Sequence, residues 1–274
     1  MTDDLAYVRD LARAAADLVA ARAGAVERLT KTHATTTAEA VTECDRAAQR
    51  HIVAGLRARF PGDGIIGEES DDGAGITSIA PRSGRTWVID PIDGTNNFVA
   101  GMGNVAVCIG LLERGQPVAG VVHDVARGQC HAGAAGLGAW LDGRRTQLAD
   151  GPLSDRSLVM LTNNLLDRQG RLPRWPVRWL EAAPWKLRML GSSALETAQV
   201  GAGVAHAAIT INGKLWDVAA AAAYAIAAGA VVTALDGRAI FPVDCAAYTG
   251  AKMPFVCATP LAHRQLLAEF ASGA

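Results

Sequence analysis

The chain has 274 residues, half of them hydrophobic, with 26 basic against 27 acidic side chains and a formal net charge of −1. A balance this even excludes a general nucleic-acid binder, which carries a marked basic excess, and the length and apolar content suit an α/β enzyme with a large core. Five cysteines, Cys44, Cys108, Cys130, Cys245 and Cys257, form no C-x-x-C pair and read as buried thiols in a reducing cytosol, not as a disulfide framework or a zinc site.

The N-terminus opens Met1-Thr2-Asp3-Asp4 with no basic region and apolar core, so no signal peptide is expected and the protein should stay in the cytoplasm. Leu5, Val8, Leu11, Ala12, Ala15, Leu18 and Val19 recur at helical spacing and predict an amphipathic first helix. A second helix is expected to begin between Glu39 and Thr42, carry Asp45, and stop near Phe60 at Pro61-Gly62-Asp63-Gly64. Ile65-Ile66 leads into Gly67-Glu68-Glu69-Ser70, which puts Glu68 at a strand end. Trp87-Val88-Ile89 predicts another strand, followed by Asp90-Pro91-Ile92-Asp93-Gly94-Thr95. Two carboxylates three residues apart cannot share one face of an extended strand. A turn at Pro91 is therefore expected to converge Asp90 and Asp93 and to direct the Ile92 carbonyl inward. Hard oxygen donors of this kind hold Mg²⁺ beside phosphate, and Gly94 with Thr95 would let an anion approach the backbone. Taken alone, the run also fits an Asx-turn closing a strand.

Short strands alternate with turns to about Leu148, with hairpins of an antiparallel sheet at 113–117 and at Gly128. After Asp150-Gly151-Pro152 a second α/β half begins, dividing one compact catalytic unit into 1–150 and 151–274. Arg168, Arg171, Arg174, Arg178, Lys186 and Arg188 are interleaved with Trp175, Trp179 and Trp185. This stretch reads as a surface loop and helix whose Trp residues pack at a subunit interface; the alternative is a cationic, stacking wall for a nucleotide or a second phosphate. Trp216-Asp217-Val218 opens an alanine-rich helix, and the uncharged run 218–235 approaches the length of a membrane span. Gly229 interrupts it, so a buried helix followed by a core strand is expected. An N-cap role accounts for Asp217 by itself. The neighbouring Trp216 points instead to partial burial, and buried charges are paired or metal-bound. His123 and His206 stand in no ligand spacing and read as packing or surface residues.

In order, Val41-Thr42-Glu43-Cys44-Asp45, Gly67-Glu68-Glu69-Ser70, Asp90-Pro91-Ile92-Asp93-Gly94-Thr95-Asn96-Asn97-Phe98 and Trp216-Asp217-Val218-Ala219-Ala220 resemble the motifs of the inositol monophosphatase family. Leu190-Gly191-Ser192-Ser193-Ala194-Leu195 is similar to a further one. Members are Mg²⁺-dependent, Li⁺-sensitive phosphomonoesterases. The resemblance implies an α+β, layered α-β-α-β-α sugar-phosphatase fold shared with fructose-1,6-bisphosphatases, a homodimer, and two or three Mg²⁺ ions per site with Li⁺ inhibitory. It implies that Glu68, Asp90 and the Ile92 carbonyl hold a first metal, and Asp90, Asp93 and Asp217 a second. Thr95 would orient the attacking water with Glu68, Asp45 would hold the Thr95 hydroxyl, and the Gly94 and Thr95 amides would carry the phosphoryl group. Ser192, Ser193 and Thr210 fall at substrate-contacting positions. Thr210 stands where family members that hydrolyse inositol phosphates have a glutamate that contacts sugar hydroxyls.

No covalent phosphoenzyme is expected, because Asp90 and Asp93 are too far apart for D-x-D-x-T, and there is no P-loop run. The implied partner is a small phosphorylated metabolite, with neither nucleic acid nor membrane. Inositol 1-phosphate is the default substrate. L-histidinol phosphate, 3′-phosphoadenosine 5′-phosphate and fructose 1,6-bisphosphate are alternatives by the same chemistry. A non-catalytic metal- or phosphate-binding regulatory protein is the alternative of a different class.

Overall fold

A computed structural model describes residues 2–22, 28–30, 40–70, 76–162, 164–166 and 170–272. Helix α1 (Asp3–Ala20) buries Leu5, Val8, Leu11, Ala12, Ala15, Ala16 and Val19 along one stripe, and the Thr2 hydroxyl caps it by accepting from Leu5 N at 3.3 Å. Leu18, expected on that stripe, lies at its margin and is 43% exposed. Strands β1 (Arg28–Thr30) and β2 (Ala40–Thr42) pair antiparallel, and β2 runs directly into α2 (Glu43–Arg59). The extended pairing of 40–42 delays the helix start to Glu43; Glu39 lies outside the described residues.

Strands β3 (Gly64–Gly67), β4 (Thr77–Ile79) and β5 (Arg85–Asp93) follow, then the short helix α3 (Thr95–Val99). After it come β6 (Ala106–Glu113), β7 (Gln116–Asp124), β8 (Cys130–Ala134), β9 (Gly138–Leu141) and β10 (Arg144–Thr146). Apart from the β1–β2 pair, they form an eight-stranded sheet in the order β10-β9-β8-β7-β6-β5-β3-β4. The expected antiparallel sheet is in fact mixed, because β4 pairs at the edge and the chain then returns so that β5 lies parallel to β3. The β6–β7 hairpin turns through Arg114 and Gly115, both left-handed at φ 49° and 77°, as a two-residue hairpin loop of matching twist requires.

The rest of the chain supplies β11 (Leu158–Leu161), α4 (Arg174–Ala182), β12 (Lys186–Arg188), α5 (Ser193–Gly201), β13 (Ala207–Thr210), α6 (Leu215–Ala228), β14 (Val231–Thr233), β15 (Phe255–Ala258) and α7 (Pro260–Ala271). Its five-stranded sheet runs β12-β11-β13-β15-β14. Alternation along the strands sorts the side chains into layers. Ile65, Trp87, Ile89, Val107, Ile109 and Val121 pack with α1 and α2, while Ile66 and Val88 turn the other way, toward α6. In the second sheet Met160, Ala208, Phe255 and Cys257 also meet α6, and Val159, Leu161, Ala207, Ile209 and Val256 meet α4 and α7. The result is the expected α-β-α-β-α stack, with α5 and α6 sandwiched between the sheets.

The alanine content of α6 follows from its position. A Cβ on Gly110 would lie 2.8 Å from Ala220 N, and one on Gly120 would collide with the Ala220 carbonyl, so sheet and helix backbones are nearly in contact. Gly229 ends the helix at φ 108° and β14 follows, as expected for the 218–235 run. No described helix is long and apolar enough to cross a membrane. All five cysteines are free; four are buried and Cys245 is half-buried. His123 is buried and His206 half-buried.

Trp175, Trp179 and Trp185 are buried in the chain's own core, not at a subunit interface and not on a nucleotide-binding wall. Trp175 and Trp179 are one turn apart on α4, Trp185 stacks edge-on against Trp179 at 4.6 Å, and Phe270 of α7 closes the cluster. Arg178 reaches over α7 to the carbonyls of Glu269 and Ser272, both at 3.0 Å. Arg168 lies outside the described residues.

Candidate metal and phosphate site

The two aspartates of β5 are brought together by a β-bulge. Asp90 faces Cys108 and Asp93 faces Ala106, so three steps on β5 oppose two on β6. The extra residue brings an i, i+3 pair onto one side of the sheet, and Pro91 sits where the interrupted ladder needs no N–H. This corrects the expected turn at Pro91: the strand continues through the bulge to Asp93 and ends at Gly94, which is left-handed at φ 90°. Within the bulge, Ile92 N donates to Asp90 Oδ1 at 3.0 Å, and the Thr95 hydroxyl donates to the Ile92 carbonyl at 3.0 Å.

Asp217 reaches the same spot from the middle layer. Lys214, not Asp217, is the N-cap of α6, and Asp217 Oδ2 accepts from Lys214 N at 2.6 Å from within the first turn. Asp90, Asp93 and Asp217 thus offer carboxylate oxygens that all lie within 4.8 Å of one another. Glu68 leaves the end of β3, where parallel pairing of Gly67 with Ile89 brings it abreast of Asp90. Asp45, buried on α2, adds to the field.

Burial pushes the Asp90 carboxyl well above the usual carboxylate range, and the charges of Glu68, Asp93, Asp217 and Asp45 push the same way. Burial also pushes Asp93 up to about 6, against the hydrogen bonds that favour its charged form. Those bonds come from the Ser192 hydroxyl and from Ala194 N at 2.9 Å, so the start of α5 grips a carboxylate of the first sheet. An all-oxygen, buried and self-repelling set of donors is relieved by a hard divalent cation, and its chemistry fits Mg²⁺.

The remaining expected residues are placed unevenly. Gly94 and Thr95 stand at the start of α3, whose first N–H groups lack intrahelical acceptors. Ser192 is fully buried and caps α5 as well as binding Asp93, and Ser193 beside it is partly exposed. Thr210, at the end of β13, is only 1% exposed and packs against Gly213, itself 3.7 Å from Asp217 at its Cβ position. Two further residues shape the site without a motif to mark them, Glu196 on α5 and Asn97 on α3. The available signal for Glu196 was a single acid in an otherwise uncharged helix.

Residues 2–272 match the model of the inositol monophosphatase family. The chain is 35% identical over 198 residues to the fructose-1,6-bisphosphatase/inositol-1-monophosphatase of Thermotoga maritima, covering 72% of each chain. It is 31% identical over 199 residues to the Nus factor SuhB of Xylella fastidiosa, covering 72% of this chain and 69% of that one. Among solved structures it is similar to an IMPase from Thermotoga maritima, with a TM-score of 0.82 and 28% identity over 99% of this chain and 98% of that one.

Proposed function

Because the chain belongs to the inositol monophosphatase family and is a phosphoric monoester hydrolase, we propose that it hydrolyses a small phosphorylated polyol by water attack, with inositol 1-phosphate as the default substrate. The observation that carries this reading is the convergence of Asp90, Asp93 and Asp217 from two separate layers. A phosphate monoester dianion repels nucleophiles, and neutral water is a poor one. Bound Mg²⁺ supplies charge neutralisation and a more acidic water. Glu68, Asp90, Asp93, Asp217 and the Ile92 carbonyl would hold the ions. The Thr95 hydroxyl and Glu68 would orient the water, Asp45 would steady Thr95 by taking over the hydroxyl proton that the Ile92 carbonyl accepts in this structure, and the Gly94 and Thr95 amides would receive the phosphoryl oxygens. Ser192 would hold Asp93 in its ligating orientation and the partly exposed Ser193 would border the organic part of the substrate, while Thr210, only 1% exposed, would act by packing against Gly213 beside Asp217 and not by direct contact.

Thr210 offers no carboxylate for a diol, which keeps L-histidinol phosphate, 3′-phosphoadenosine 5′-phosphate and fructose 1,6-bisphosphate in the proposal. The first relative's name, which joins a bisphosphatase to a monophosphatase, supports including the last of these. The relative named a Nus factor supports the second reading, a regulatory protein on the same fold. Phosphate release from these four esters, with Mg²⁺ and then with EDTA, tests both. One ester turned over far better than the others, and only with Mg²⁺, supports the enzyme and names its substrate. No Mg²⁺-dependent release from any of them favours the regulatory reading. A cytoplasmic homodimer completes the proposal, and a monomer by light scattering at micromolar concentration removes its dimeric part.

A further inference from the structure

Glu196 is the one charged side chain of α5 and is 1% exposed, yet no step of the proposed reaction falls to it. Its Oε1 accepts from two consecutive backbone N–H groups, Leu190 at 2.7 Å and Gly191 at 3.1 Å. These belong to the turn that enters α5, where Gly191 is left-handed at φ 80°. The Leu190 carbonyl in that turn accepts from Asn97 Nδ2 at 2.7 Å, and the same amide donates to the Asn104 carbonyl at 3.0 Å. Gly94 lies between the two bridged backbones: a Cβ there would be 2.7 Å from Asn104 O and 3.3 Å from Gly191 O. The next residue of the turn is Ser192, whose hydroxyl is donated to Asp93. One buried side chain therefore fixes the backbone that presses on Gly94 and aims Asp93.

We propose that Glu196 is a positioning residue of the phosphatase site, acting through the Leu190-Gly191 turn on the Asp93 carboxylate and the Gly94 backbone. The inference rests on reading that site as metal-binding. What it requires is an acceptor oxygen at one place, not a charge, since both donors are neutral amides. Gln supplies the same Oε1, Leu supplies none, and Asp falls one methylene short.

The test uses Mn²⁺ as a paramagnetic probe of metal affinity alongside turnover of whichever ester the wild-type chain hydrolyses. E196Q should stay within about twofold of wild type in both, whereas E196L should bind Mn²⁺ about tenfold more weakly and lose about 10- to 100-fold in kcat with substrate KM nearly unchanged. E196D, which keeps a carboxyl of shorter reach, should show a several-fold loss of the same kind and serves as the folded variant if E196L is insoluble. Wild-type Mn²⁺ affinity in E196L or E196D overturns the proposal, even where the thermal midpoint drops, because that describes a purely structural acid. E196Q as impaired as E196L also overturns it. A wild-type chain that hydrolyses no ester sinks the functional reading, while the shift in Mn²⁺ affinity still tests the positioning role.

Discussion

At Asp93 two physical demands compete: burial disfavours the charge, and the Ser192 hydroxyl and the first amides of α5 favour it. Removing the charge with Asp93→Asn should therefore leave the fold intact and make the metal-free protein more stable, while lowering turnover at saturating Mg²⁺ by about 100-fold or more. Thermal melts without metal and phosphate-release rates check the two halves, and wild-type-like turnover would remove Asp93 from the metal site. Glu196 carries a second residue-level expectation. Burial raises its folded pKa to about 8 from an ordinary 4.5, so its neutral form contributes stability that is fully present below pH 4.5 and is lost as pH rises through 8. The thermal midpoint of the metal-free protein should fall across that window, and Glu196→Gln should flatten the fall. The acids of β5 were legible in the sequence because carboxylates beside Gly-Thr advertise their chemistry. The grip of Ser192 on Asp93 was not, because it joins residues 99 apart.

Elements were legible where one periodicity decided them. The stripe of α1 and the alanine run of α6 both appear as expected, because burial on one face or on all sides leaves a direct imprint on composition. The bulge in β5 left only Pro91 as a hint, and a proline marks a turn and a bulge equally well. The Trp-rich segment shows another gap: its spacing reveals an apolar face but not what covers that face, which is α7, some 90 residues further on. The packing of α6 gives a prediction at this scale. Gly120→Ala would thrust a methyl into the Ala220 carbonyl and should destabilise by about 1–3 kcal/mol or more, whereas Gly151→Ala, with nothing within 4 Å, should be neutral. Urea denaturation of the pair measures the difference. Because Asp217 rides on the displaced helix, Gly120→Ala should also weaken Mg²⁺ binding.

Across the whole molecule, the site's ligands join layers that are otherwise held by hydrophobic packing and a few hydrogen bonds such as Asn97 to the Leu190 carbonyl. Mg²⁺ that binds only the folded chain should raise stability by about 2.7 kcal/mol at a hundred times its Kd, roughly 5–10 °C in midpoint for a chain of this size. Asp217→Asn should lose most of that increment, and an equal Mg²⁺ shift in this variant would detach α6 from the site. The five-layer stack was legible only through family resemblance, since periodicity gives faces and not the order in which they stack. The near-contact of α6 with the sheet also bears on how such a protein changes over time. Gly110 and Gly120 leave no room for a side chain against the α6 backbone at Ala219 and Ala220, so substitutions of these two glycines are closed to drift and to a mutagenesis library alike. New substrate preferences would have to be written at the rim, at partly exposed positions such as Ser193, while the helix that presents Asp217 stays as it is.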